Sequence, residues 1–152
     1  MKKRLTGWRD RKLSCASRGQ SVAEFAMLAP VLLLLLVGVA DFGRVFYTAI
    51  ELNNAARAGT QYGIQSPASG ADTAGMIQAA QNDGSGISGL TATASEYCKC
   101  PDGTTQACSS KPCADMRVYV EVDTSATFDT LLNYPGIPAS VSMNGKSVMR
   151  EQ

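Results

Sequence analysis

Histidine is absent from all 152 residues. That removes the commonest general base, the Ser–His and Cys–His nucleophile pairs, and imidazole metal ligands. The chain also lacks an internal repeat. Beyond Gly19 it lacks a basic surplus: seven basic residues face twelve acidic ones, a side-chain charge of about −5. Phosphate binding needs a basic patch, so nucleic acid is excluded as a partner. No metal, cofactor or small-molecule substrate is expected, and no enzyme activity. The length suits one small domain plus an anchor.

What is present begins with one long apolar run. From Phe25 to Ala40 there are sixteen residues without a charge. As helix they cover about 24 Å, against a bilayer core of about 30 Å. The run reaches spanning length if Ser21–Ala23 join it, which places Glu24 near a membrane face. An ionisable group there is costly and marks a functional site. Ahead of the run lie Lys2, Lys3, Arg4, Arg9, Arg11, Lys12 and Arg18 against one acid, Asp10. The positive-inside rule assigns this segment to the cytoplasm and sends everything after Ala40 outward. Val37–Asp41 is a poor version of a small-x-small cleavage site for a secreted protein.

Gly19-Gln20-Ser21-Val22-Ala23-Glu24-Phe25, directly ahead of an apolar helix, resembles the processing site of type IV prepilins. The fuller pattern adds Asp41-Phe42-Gly43-Arg44 and Asn54-Ala55-Ala56-Arg57-Ala58-Gly59. Over Arg18 to Gly63 it resembles the TadE-like pseudopilins of the Tad (tight adherence, Flp) type IVb pilus machinery. The resemblance implies a bacterial inner-membrane protein. Its N-terminus is then cytoplasmic, its single span about 22–41, and its head extracytoplasmic. It also implies cleavage after Gly19 by a prepilin peptidase, with retention of the apolar helix. Gly19, Gln20, Glu24 and Phe25 are then the processing residues, and Cys15 leaves with the leader. The implied partners are other pilins and pseudopilins and the Tad inner-membrane assembly proteins.

Physical readings stand beside that resemblance. Glu24 alone is a helix-start carboxylate favoured by the dipole, in a capping box with Ser21 as the cap. After cleavage it faces a new ammonium at Gln20, and each buried charge needs a partner. Pro30 is tolerated in a membrane helix as a kink. Asp41-Phe42-Gly43 matches a kinase tripeptide, but the chain has no glycine-rich loop, no catalytic loop and no room for a kinase. Asp41 and Arg44 lie three apart on one face at the membrane exit. Phe42, Val45, Phe46, Ala49, Ile50, Leu52, Ala56 and Gly59 predict the inward face of an amphipathic continuation. Gly59-x3-Gly63 is read as a helix C-terminal signal, and Gly63 with Ser66-Pro67 ends the helix.

The fold class expected is α+β. A long N-terminal helix, half membrane-spanning and half amphipathic, carries a small disulfide-stapled, β-rich extracytoplasmic head. Three segments follow: a leader at 1–19, the TadE-like helix at 20–65 and the head at 66–152. Residues 66–71 read as a linker. Residues 72–82 read as a short helix capped by Asp72, with Ala74, Ile77 and Ala80 inward. Residues 90–98 and 116–124 read as strands. Tyr134–Pro138 reads as a turn, and residues 139–150 as a last strand broken by a hairpin at Asn144-Gly145. Cys98, Cys100, Cys108 and Cys113 form a Cys-x-Cys-x7-Cys-x4-Cys pattern, unlike the paired C-x2-C knuckles of zinc sites. Two disulfides are expected in an exported head. Cys98 and Cys100 are too close to pair with each other. Either 98–108 with 100–113 or 98–113 with 100–108 remains.

Overall fold

Leucine and alanine favour helix throughout the stretch after Gly19. There α1 runs over Gln20–Gly63, with Pro30 inside it. The structure, a computed structural model, describes residues 19–110, 113–131, 136 and 138–151. The basic leader falls outside the described residues, as do Tyr134, Pro135 and Ile137 of the expected turn. The chain divides into two units, Met1–Gly38 and Val39–Gln152.

In the first unit the described segment is helical from Gln20, and its large apolar side chains from Val22 to Leu36 stand exposed. Because α1 begins at Gln20, Ser21 lies inside the first turn and caps nothing. The Ala23 N–H donates to the Gly19 carbonyl instead, at 3.2 Å. The capping box expected from Ser21 and Glu24 is therefore replaced by a glycine-started helix.

In the second unit the rest of α1 is joined by α2 (Pro67–Ala71) and α3 (Thr73–Asp83). Four strands follow: β1 (Thr91–Lys99), β2 (Thr105–Gln106), β3 (Arg117–Asp129) and β4 (Ser140–Arg150). They form an antiparallel sheet in the order β2-β1-β3-β4. Alternation along β3 decides its faces. Val120, Val122, Thr124, Ala126 and Phe128 are buried. Val120 and Val122 make a core with Ala56 of α1 and Met76 and Ala80 of α3. The opposite face is polar, with Lys146 of β4 paired to Glu121 and Asp123 of β3.

Small residues make this packing close. The buried face of α1 is Leu52, Ala55, Ala56, Gly59, Thr60 and Gly63. A Cβ on Gly59 would stand 2.8 Å from the Met76 carbonyl oxygen, and one on Gly63 would stand 2.5 Å from Met76 Sδ. Gly59-x3-Gly63 thus seats α1 against α3 and β3, in addition to ending the helix. Thr60 Oγ1 meets Ser147 Oγ at 2.9 Å, and Thr124 Oγ1 donates to the Leu52 carbonyl at 2.8 Å.

Several expectations change. Phe42, Phe46 and Ile50 point away from the sheet and are exposed, because the small residues one face over permit a closer fit. Residues 67–71 form α2 rather than a linker. Ser66 accepts from the Ser69 N–H and Pro67 takes the first helical position, both strong start signals. Asp72 does cap α3, accepting from the Gly75 N–H at 2.9 Å, but Met76 and Ala80 face inward and Ala74 is exposed. The Gly75 N–H and then the Tyr62 hydroxyl hold the Asp72 carboxyl below its usual range. Strand β3 continues to Asp129, five residues beyond the predicted end. Strand β4 is unbroken. Asn144-Gly145 is no hairpin, and Gly145 pairs with Thr124 in mid-strand.

Candidate functional site

The segment read as a processing site lies in the first unit. Gly19 immediately precedes α1, and its carbonyl starts the helix. Among the described residues a Cβ at Gly19 would meet nothing within 4 Å, and its backbone is not left-handed. The packing of the described residues therefore does not demand glycine at this position. Gln20 Nε2 donates to Glu24 Oε1 at 3.4 Å, one turn along the exposed helix surface. Phe25 is exposed as well. Glu24 and Phe25 have no partner from elsewhere in the fold among the described residues. Helical spacing alone brings Gln20 and Glu24 together.

In the second unit Asp41 has a more definite environment than the sequence suggested. It is 7% exposed. Both carboxylate oxygens accept from the Leu131 N–H at 3.2 Å, and Arg44 Nη1 lies 3.2 Å from Oδ1. The Arg44 guanidinium also stands 4.9 Å from the centre of the Phe128 ring. The Asp41–Arg44 spacing was visible in the sequence. The Leu131 partner was not, because it lies 90 positions away. Asp41→Ala is expected to destabilise the head by about 1–3 kcal/mol, the range for removing one partner of a buried polar group. Asp41→Asn, which keeps an acceptor for Leu131, should lose less. Thermal unfolding of the full chain in detergent measures both, and equal losses would assign the effect to charge alone.

The cysteines pair as Cys98–Cys108 and Cys100–Cys113, with Cα separations of 4.9 and 6.0 Å. This selects one of the two alternatives left by the spacing. The bridges tie β2 and the short 3₁₀ turn Cys108–Ser110 to the end of β1. No cluster of three or more His, Cys, Asp or Glu able to hold a metal occurs among the described residues. An open cleft of about 530 Å³ is lined by Arg44, Tyr47, Glu51, Ile87, Phe128 and Asp129.

These features define a class: one helix near the N-terminus, long and apolar enough to cross a membrane, and an antiparallel sheet with two disulfides. Residues 19–61 match the family model for TadE-like protein, so this segment is similar to that family. That family is associated with the Tad pilus, in agreement with the resemblance drawn from the motifs. No curated protein and no solved structure matches the chain.

Proposed function

We infer that the protein is a minor pseudopilin contributing to assembly of a Tad/Flp-type pilus, processed by prepilin peptidase after Gly19. The observation that carries this is Gly19 itself: a glycine that the packing of the described residues does not require, five residues before Glu24, within the TadE-like match. In this reading the peptidase imposes the small residue. Cleavage frees an ammonium at Gln20 beside the apolar phase, and Glu24 supplies charge matching for it or for a neighbouring subunit's. The span lies in the inner membrane, with the leader cytoplasmic and the head outside. The role is structural rather than enzymatic. It acts through helix contacts with pilins, pseudopilins and Tad inner-membrane assembly proteins.

The N-terminus of the mature protein tests the processing step. Gln20 supports the pseudopilin. Met1 makes the chain an uncleaved single-span envelope protein with a binding head, and Asp41 makes it a secreted one. Gly19→Leu should leave the protein in the membrane at its precursor size. An unchanged mature size on that substitution would place cleavage elsewhere. Glu24→Ala should be cleaved normally yet yield few pili, and normal piliation from it would remove the charge-matching role.

A further inference from the structure

Between Asp129 and Lys146 the sequence carries no charged side chain. This stretch turns from β3 into β4. Its base is closed by Thr130, whose N–H donates to the Ala139 carbonyl at 3.0 Å. Leu131, the next residue, is 55% exposed, and its N–H is held by the Asp41 carboxylate. Asp41 lies three residues past Gly38. At the chain's full reach of about 3.6 Å per residue, its Cα is within about 11 Å of Gly38 in any arrangement. The apolar run ends at Ala40, so Leu131 is held to the first residue beyond that run. Phe42 and Phe46, the first large residues after that point, are 68% and 66% exposed. Interfacial helices bury Phe and Leu side chains at the headgroup–acyl boundary, and the headgroup layer is about 5–8 Å thick on each side of the hydrocarbon.

We propose that Leu131, just past the end of β3, together with Phe42 and Phe46 of α1, seats in the lipid headgroup–acyl boundary of the membrane that α1 crosses. The head then has a second, peripheral membrane contact besides its helix. The inference rests on the reading of α1 as a span. Asp41 fits this setting: a carboxylate at the lipid edge is costly unless partnered, and Leu131 and Arg44 partner it. The far end of the sheet is different in kind. There β2 lies beside Lys99 and Arg117. It is separated from Asp129 by the length of β3, about 40 Å at the usual strand rise.

The test uses the full chain with Trp8→Phe, reconstituted into vesicles of phosphatidylcholine brominated in the upper acyl chain. Single reporters are introduced as Leu131→Trp, Phe46→Trp, Leu35→Trp in the span and Gln106→Trp in β2. Because Leu131 and Phe46 are exposed, neither replacement disturbs the core. Leu131→Trp and Phe46→Trp should lose most of their emission, as Leu35→Trp does, while Gln106→Trp stays bright. If Leu35→Trp is quenched and the other two match Gln106→Trp, the lipid contact is overturned and the span stands. If Leu35→Trp is bright, the span reading fails and this inference fails with it. Emission at 131 that ignores brominated lipid but changes on diluting the protein would overturn the proposal in favour of a second copy.

Discussion

Gly145→Val should destabilise the head by about 3 kcal/mol, at the upper end of over-packing penalties. For a small domain that corresponds to a fall in melting temperature on the order of 15 °C. Gly145 sits in mid-strand opposite Thr124, and α1 crosses directly over it. A Cβ there would stand 2.6 Å from the Leu52 carbonyl carbon and oxygen and 2.7 Å from Thr124 Oγ1. The obstructing atoms are mostly backbone, so no change of rotamer makes room. The same helix–sheet approach allows the Thr124 hydroxyl to reach the Leu52 carbonyl, and that bond goes with it. Gly43→Ala is the control. Its Cβ would meet nothing within 4 Å, and alanine in an exposed helix gains about 0.8–1 kcal/mol over glycine. Circular dichroism of both variants in detergent reads the difference. A Gly145→Val protein melting with the wild type would show that α1 does not rest on β4.

Loss of either disulfide is the second large effect. Each bridge closes a loop shorter than the 15 residues for which the chain-entropy model gives about 3 kcal/mol. A loss of about 2–3 kcal/mol per bridge is therefore expected. That is a sizeable share of the 5–15 kcal/mol typical of a folded domain. The two loops interlace, because Cys100 lies inside the 98–108 span and Cys108 lies inside the 100–113 span. Residues 101–107 are exposed and contribute nothing to the core. Cys108→Ser strands Cys98, whose side chain is fully buried. Its thiol should resist labelling in the native protein and react after unfolding. Peptide mapping that finds the label on Cys100 would reverse the pairing.

Parts of this architecture were legible from sequence, for physical reasons. An uninterrupted apolar run followed by alanine-rich text and Gly63 has few ways to be anything but one long helix, and α1 begins at Gln20 and ends at Gly63, two residues before the expected end at 65. The alternation Val118–Val122 announced β3 in the same way. What periodicity could not decide was which side of α1 is covered. Phe42, Phe46 and Ile50 carry more apolar area, yet Ala55, Ala56, Gly59 and Gly63 are buried, because close approach of backbones favours small residues. Gly145 was misread for a related reason. Glycine in a strand signals a tight turn or the passage of another backbone, and local sequence does not distinguish them. The disulfide pairing and the Asp41–Leu131 bond join positions whose proximity depends on the completed sheet. For Gly19 and Glu24 the opposite holds. Their pattern was plain in the sequence, while the fold places little around them.

The contact of β4 with α1 also bears on the order of events in biogenesis. Thr60 meets Ser147 across 87 positions, and Asp41 meets Leu131 across 90. Synthesis from the N-terminus completes α1 long before β4. Until β4 arrives, Thr60 lacks its Ser147 partner and one edge of β3 is unpaired. Contacts this distant in sequence form slowly, so the head closes last, after β4 has been made. During that interval the nascent domain displays an open sheet edge, the kind of surface that pairs with other chains.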